Sequence, residues 1–149
     1  DVYGFRKSLE DWEAFRSNCP ERALILGYGG AAKAVEAALR DLGIAYQIVS
    51  RDAAKGDLTY ADLTANVLRT HHLLVNTTPL GTYPNVDARP DLPYDLLTDG
   101  HLLYDLVYNP AETTFMRLGA ARGAATHNGY RMLELQAERS WEIWNSSEP

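Results

Sequence analysis

The glycine-rich stretch GYGGAA, residues 27–32, constrains the fold more than any other feature of this 149-residue chain. It follows a short apolar run, ALILG (23–27), and precedes a stretch rich in Ala and Leu that ends at Gly43. A short apolar run beside glycine is typical of a buried parallel strand, and glycine is a common residue just after a helix. The sequence therefore predicts a strand, a glycine turn and a helix in succession.

A glycine turn in this position can bind phosphate. GYGGAA fits G-x-G-G-A-A, a variant of the dinucleotide-binding fingerprint. Gly27 allows a tight turn, Gly29 lets the backbone approach a pyrophosphate, and the small Ala31 and Ala32 let the helix pack against the strand. The free N–H groups at the start of that helix attract an anion. We predict phosphate binding here, with a purely structural turn as the alternative.

Apolar runs alternate with helical patterns along the rest of the chain. Strands are predicted at 45–50, 72–78, 101–108 and 124–127, helices at 31–42, 113–121 and 130–144, and one helix or two short turns at 60–71. An opening helix is also predicted, because Val2, Phe5, Leu9 and Trp12 follow Asp1 at helical spacing. This alternation predicts a mostly parallel sheet flanked by helices, a Rossmann-like, doubly wound α/β fold.

The composition excludes several classes of partner. Because 20 acidic and 14 basic residues give a net charge of -6, and the basic residues do not cluster, nucleic acid and membrane are not expected partners. A lone Cys19 and the absence of a long apolar run favour a cytoplasmic protein. The four histidines lack metal-ligand spacing, so no metal site is predicted.

The residues after the second predicted strand favour NADP over NAD. That strand ends at Ser50 and Arg51, where NAD-binding units usually carry Asp or Glu. An arginine can pair with the 2′-phosphate of NADP through charge-assisted hydrogen bonds, whereas a carboxylate would repel it. Lys55 can add to the same pocket. Asp52 is the alternative, since it would take the ribose role if the strand ended one residue later.

Polar residues also follow the third and fourth predicted strands. Ligands of doubly wound sheets bind outside the carboxyl ends of the strands, where this chain carries Asn-Thr-Thr-Pro (76–79) and Tyr-Asn-Pro (108–110). Such residues are also common wherever a loop begins, so a structural role is the alternative for each. The loop 78–95 holds four of the seven prolines. Loops of this length are usually functional, with ordered packing on the surface as the alternative.

The last predicted helix places one polar residue among apolar ones. Its core-facing stripe is predicted to contain Met132, Leu133, Ala137, Trp141 and Trp144. Gln136 falls inside this stripe, and a buried glutamine needs hydrogen-bond partners. Either a backbone group or a polar ligand would supply them.

Taken in order, these motifs resemble the C-terminal, NADP-binding half of the shikimate dehydrogenase family over essentially the whole chain. The matching stretches are DVYGF, LGYGGAAKAV, SR, NTTPLG, YDLVYNPAET and NGYRMLELQA. They resemble the family motifs N-T-D-x-x-G-F, G-x-G-G-A-x-x-A, N-R-T, N-x-T-P-x-G, D-x-x-Y-x-P-x-x-T and G-x-x-M-L-x-x-Q-A. Ser50 stands where the family usually has Asn, and Thr82 where it often has Met.

The resemblance implies part of an enzyme of aromatic amino acid (chorismate) biosynthesis that reduces 3-dehydroshikimate to shikimate with NADPH. By position, the residues that would bind the cofactor are Gly27, Tyr28, Gly29, Gly30, Ala31, Ser50, Arg51, Lys55, Thr77, Thr78, Leu106, Gly129 and Met132. Tyr108 and Gln136 would contact the substrate. Asp1 would bind the substrate and act with a lysine as the catalytic acid/base pair.

The resemblance also implies that the lysine lies outside this chain. Lys7, Lys33 and Lys55 each belong to another motif, and the family's lysine lies in an N-terminal substrate domain that would precede Asp1. Such a chain is expected to bind NADP(H) without turnover, and to meet shikimate or 3-dehydroshikimate only together with that domain.

This interpretation divides the chain into an interdomain connector helix, residues 1–17, and a Rossmann-like cofactor domain, residues 18–149. A homodimer is kept open. Two alternative functions are an NAD-preferring quinate/shikimate dehydrogenase domain and a non-catalytic nucleotide-binding module.

Overall fold

A computed structural model describes residues 2–146, which form a parallel five-stranded sheet with helices on both faces. The strands are β1 Arg22–Leu26, β2 Ala45–Val49, β3 Leu73–Asn76, β4 Leu102–Asp105 and β5 Ala125–His127. Their order across the sheet is β2-β1-β3-β4-β5, and every neighbouring pair is parallel. The predicted doubly wound fold is therefore confirmed. Because the chain changes direction across the sheet between β1 and β3, a crevice is expected at their carboxyl ends.

The helices follow the predicted order with small shifts at their ends. They are α1 Val2–Asp11, α2 Glu13–Asn18, α3 Gly30–Asp41, α4 Ala65–Thr70, α5 Thr114–Ala120 and α6 Tyr130–Ser146. The stretch 60–71 forms a 3-10 turn, Tyr60–Asp62, followed by α4. Of the two predicted alternatives for this stretch, two short elements is therefore the correct one. The two are separate because Thr59 and Asp62 cap the first, while the Thr64 hydroxyl accepts from the Val67 N–H at the start of α4.

Each face of the sheet has its own hydrophobic core. In β1, Ala23 and Ile25 face the cluster that includes Val35 and Leu39 of α3. The alternate residues Leu24 and Leu26 face the cluster on the other side, which includes side chains from α4 and α5. Burial on both faces explains why the strands are apolar throughout.

The opening helix is interrupted at Trp12 and packs into the first core. A continuous helix was predicted through Trp12, but its backbone is extended, with φ -83° and ψ 112°. The Trp12 ring contacts the rings of Tyr104 and His127, and this packing favours the break. Phe5 and Leu9 of α1 are fully buried. The domain boundary at residue 17 stays a prediction, and α1 belongs to the same core as the sheet.

The predicted apolar stripe of α6 is only partly correct, because Met132 packs against the core and the other four residues do not. The buried residue among those described in this helix is Leu135, while Met132 and Gln136 beside it are half-buried. The exposed residues are Leu133, Ala137, Trp141 and Trp144. The reason is that α6 buries side chains only in its first turns: every residue from Ala137 to Ser146 is exposed, although the Arg139 guanidinium lies over the Tyr3 ring of α1. Within residues 2–146, no helix combines the length and apolarity needed to cross a bilayer.

Candidate functional site

A cleft of about 1010 Å³ lies at the carboxyl ends of β1, β2 and β3. The glycine turn contributes residues 27–29, and the chain after β2 contributes residues 49–52, Lys55 and residues 59–61. Residues 77–80 after β3 complete the cleft together with Arg89 and Asp91 of the proline-rich loop 78–95. This is the crevice where doubly wound sheets bind ligands.

The glycine turn brings open backbone to the cleft. Gly27 has φ +109°, and a Cβ there would lie 2.7 Å from the Thr77 hydroxyl, so both its conformation and its surroundings require glycine. A Cβ on Gly29 or Gly30 would meet nothing within 4 Å. The first N–H groups of any α-helix have no intrahelical partner. Because no side chain caps α3 either, those of its first turn are open to a ligand. The turn therefore offers free donors and room for an anion.

Thr77 and Thr78 shape the turn after β3. The Thr77 hydroxyl donates to the Leu26 carbonyl at 2.7 Å, and its N–H donates to the same oxygen at 2.9 Å. The Thr78 hydroxyl and N–H both donate to Oδ1 of Asn76, at 2.7 and 3.0 Å. These donors were expected to face a ligand. Because these donors are engaged within the protein, the two threonines position the wall of the cleft. The Thr78 hydroxyl oxygen also accepts from the Leu80 N–H at 3.3 Å.

The loop after β2 is folded tightly against its strand. Asp57 accepts from the Ile48 N–H at 2.8 Å, and the Ser50 N–H donates to the Leu58 carbonyl at 2.9 Å. The Asp52 carboxylate accepts from the Ala54 N–H at 2.9 Å, within its own turn. Asp52 is therefore engaged locally. β2 ends at Val49, one residue before the predicted end at Ser50, so the later strand end that would give Asp52 the ribose role is not observed.

The cleft carries three cations without acidic partners. The side chains of Arg51, Lys55 and Arg89 are exposed and line it. The ion pairs among the described residues use Arg6, Lys7 and Arg131 instead. A cation with no partner is available to a phosphate. The cleft also contains the carboxylates of Asp52 and Asp91.

Tyr60 forms a half-buried part of the wall between these charges. Burial raises its pKa to about 12, while the positive charge of Arg51 opposes the rise and the negative charge of Asp91 adds to it. Tyr60 is thus a neutral phenol with one cation and one carboxylate of the cleft within electrostatic range.

The buried carboxylate of Asp105 forms hydrogen bonds with residues around the ends of β3 and β4. Asp105 is fully buried, and its Oδ1 accepts from Asn76 at 3.1 Å and from the Val107 N–H at 3.0 Å. Its Oδ2 accepts from the Thr113 hydroxyl at 2.7 Å. Burial raises the pKa of Asp105 to about 6, and the three hydrogen bonds limit the rise.

A second group of predicted residues lies on the segments that follow β4 and β5 along the chain. A Cβ on Gly129 would clash with the Leu106 carbonyl oxygen, so these two residues are in close contact. Gln136 lies half-buried against Gly4, as does Met132 one turn earlier. Within residues 2–146, nothing forms a hydrogen bond with the side-chain amide of Gln136. Tyr108 is 48% exposed, and its hydroxyl is free to contact a ligand.

The structure thus divides the predicted cofactor residues. Those that line the cleft are Gly27, Tyr28, Gly29, Ser50, Arg51, Lys55, Thr77 and Thr78. Gly30 and Ala31 lie in the first turn of α3, and Leu106, Gly129 and Met132 belong to the second group. Their roles stay predictions. Sequence reasoning missed Tyr60, Arg89 and Asp91, although the high proline content of the loop 78–95 did indicate a functional segment.

The predicted catalytic residue, Asp1, lies outside the described residues. Among residues 2–146, no three His, Cys, Asp or Glu side chains are grouped so that they could hold a metal ion.

Several curated proteins with similar sequences carry the same name. A shikimate dehydrogenase (NADP+) from Desulforamulus reducens is 35% identical over 162 residues, which cover 97% of this chain and 55% of that protein. The chain belongs to the shikimate dehydrogenase family. It spans about 55–58% of the length of the curated shikimate dehydrogenases it matches. No family model matches the sequence.

Solved structures of shikimate and quinate dehydrogenases have the same fold. The shikimate 5-dehydrogenase of Thermus thermophilus, in complex with NADP(H) and shikimate, is 31% identical with a TM-score of 0.72, over 92% of this chain and 55% of that one. The quinate dehydrogenase of Corynebacterium glutamicum, in complex with NAD, has a TM-score of 0.84 over 99% of this chain and 57% of that one. Its identity of 23% limits this second likeness to the fold.

Proposed function

We propose that this chain is the NADP(H)-binding domain of a shikimate dehydrogenase, a cytoplasmic enzyme of aromatic amino acid biosynthesis. The whole enzyme would reduce 3-dehydroshikimate to shikimate. The observation that carries this proposal is the cleft, where a glycine turn with free N–H groups faces the unpaired side chains of Arg51 and Lys55.

The residues of the cleft fit a dinucleotide phosphate. The open space at Gly29 and Gly30 would admit the pyrophosphate, which the first turn of α3 would bind through backbone N–H groups. Arg51 and Lys55 would pair with the 2′-phosphate of the adenosine. The bound cofactor would supply the hydride for the reaction.

The position of Asp52 supports NADP over NAD. In an NAD site a carboxylate after the second strand accepts hydrogen bonds from the ribose hydroxyls. Here the Asp52 carboxylate accepts from the Ala54 N–H in its own turn, while the Arg51 side chain lines the cleft without an acidic partner. An NAD-preferring quinate/shikimate dehydrogenase domain is therefore the less favoured alternative.

The second group of residues would contact the substrate. Tyr108 and Gln136 have side-chain polar groups without partners among residues 2–146, and both could bind a substrate hydroxyl. In the whole enzyme, Asp1 and a lysine supplied by the substrate domain would hold and transfer the proton at the reacting oxygen. Because hydride transfer requires the substrate carbonyl held against the cofactor, the chain alone would bind NADP(H) without turnover. Formation of a homodimer stays a prediction.

Calorimetric titration of the chain with NADPH and NADH tests the proposal. We expect tighter binding of NADPH, and loss of that preference in Arg51→Asp. Arg117→Asp is a matched control, because Arg117 is an exposed arginine on α5, away from the cleft. A folded chain that binds neither nucleotide would favour the non-catalytic module, and an unchanged preference in Arg51→Asp would remove Arg51 from its role.

A further inference from the structure

The proline-rich loop contributes a cation to the cleft that lies far from Arg51 along the chain. Arg89 is exposed, lines the cleft and has no acidic partner among the described residues. Asp91, two residues later, lines the same cleft, but the two side chains do not form an ion pair. Among residues 2–146, no carboxylate therefore lies within ion-pair distance of the Arg89 guanidinium.

The backbone on each side of Arg89 is held in place. Pro90 and Leu92 are buried, and the Tyr94 hydroxyl donates to the Pro90 carbonyl at 2.8 Å. On the other side, the Ala88 N–H donates to the Asn85 carbonyl at 3.2 Å. Arg89 thus extends from an ordered segment of a long loop, which lowers the entropic cost of using it in binding.

Two tyrosines lie within electrostatic range of the cations of the cleft. Burial raises the pKa of Tyr94, and the nearby positive charge of Arg89 opposes that rise. Tyr60 is within electrostatic range of Tyr94 on one side and of Arg51 on the other. Arg89, Tyr60 and Arg51 thus line one cleft, whose wall also includes the glycine turn.

We propose that Arg89 is a third cation for the 2′-phosphate of the cofactor, acting with Arg51 and Lys55. This inference rests on the proposed NADP(H) function. A doubly charged phosphate group bound between guanidinium groups gains charge-assisted hydrogen bonds from each. Arg89 would thus increase the preference for NADP over NAD from a loop that the dinucleotide-binding fingerprint does not include.

The test compares two adenosine nucleotides that differ only in the 2′-phosphate, 2′,5′-ADP and 5′-AMP. Calorimetric titration of the Arg89→Ala chain should show binding of 2′,5′-ADP weakened by about tenfold, with 5′-AMP nearly unchanged. Arg89→Lys should retain most of the affinity, because it keeps the charge. Arg117→Ala is the control for removing an exposed, unpaired arginine elsewhere.

The outcomes separate this inference from the proposed function. If the unaltered chain binds 2′,5′-ADP and Arg89→Ala binds it equally well, the role of Arg89 is overturned while the NADP site stands. Equal weakening of both nucleotides would also overturn it, because Arg89 would then act on the shared adenosine 5′-phosphate. If the unaltered chain binds neither 2′,5′-ADP nor NADPH, both proposals fail.

Discussion

Asn76 at the end of β3 donates a hydrogen bond of 3.1 Å to the buried carboxylate of Asp105 at the end of β4. The other end of the Asn76 amide accepts from the Thr78 N–H and hydroxyl, so the turn that borders the cleft depends on the same side chain. Asp105 also holds the Val107 N–H and the Thr113 hydroxyl. One polar network therefore connects the cleft wall with the loop that carries Tyr108.

Removal of the Asp105 carboxylate should destabilise the domain strongly. In Asp105→Ala, three buried or partly buried donors lose their acceptor, which should lower the free energy of unfolding by about 3 kcal/mol or more. Urea denaturation followed by circular dichroism measures this change. Asp87→Ala is the matched control, because Asp87 is exposed on the proline-rich loop, and it should change stability by less than about 0.5 kcal/mol. Equal stabilities of the two variants would contradict the structural role of Asp105.

The raised pKa of Asp105 should make its contribution to stability depend on pH. Its pKa is about 6 in the folded chain against an ordinary value of 3.8, so the folded state binds the proton more tightly than the unfolded state. The stability gained from this tighter proton binding is fully present below pH 3.8 and is lost as the pH rises through about 6. Relative to Asp105→Asn, which cannot titrate, the unaltered chain should be more stable at pH 4 than at pH 7, by up to about 3 kcal/mol. A difference that stays constant over this range would rule out the raised pKa.

Two glycines of the same turn should respond differently to alanine. Gly27→Ala forces a side chain into φ +109° and against the Thr77 hydroxyl, so it should cost about 2 kcal/mol or more in stability. Gly29 has an extended backbone, φ -136° and ψ -165°, and open space at its Cβ. Gly29→Ala should therefore leave stability nearly unchanged and weaken NADPH binding at least tenfold, since the methyl group would occupy the space of the pyrophosphate. Thermal unfolding and calorimetry separate the two effects, and unchanged NADPH affinity in Gly29→Ala would argue against a phosphate at this turn.

The contact between Ser8 of α1 and Tyr104 of β4 predicts that substitutions of the two residues will differ in their cost in stability. The Ser8 hydroxyl donates to the Phe5 carbonyl at 2.8 Å, so in its 2.6 Å contact with Tyr104 the tyrosine is the donor. Tyr104→Phe leaves Ser8 with its carbonyl partner and should cost about 1 kcal/mol. Ser8→Ala leaves the fully buried Tyr104 hydroxyl without an acceptor and should cost more, about 2 kcal/mol. Urea denaturation of both variants checks the order, and the reverse order would contradict this assignment of the donor.

Local sequence patterns were sufficient to predict the order of strands and helices, the glycine turn and the positively charged Arg51 after β2. Each of these rests on neighbouring residues: an apolar run that is buried on both faces of the sheet, a glycine with positive φ, or an arginine that directly follows a strand. Eight of the thirteen predicted cofactor residues line the cleft, because the carboxyl ends of parallel strands meet at one edge of the sheet.

Only the tertiary structure decided which distant residues meet and which faces are buried. Arg89 and Tyr60 line the cleft although neither belongs to the glycine turn, and Asn76 pairs with Asp105 across 29 residues of chain. The apolar residues of α6 beyond Leu135 are exposed, although their spacing predicted a core-facing stripe. Periodicity specifies which side chains share a helix face, but burial and pairing depend on what the rest of the chain packs against that face.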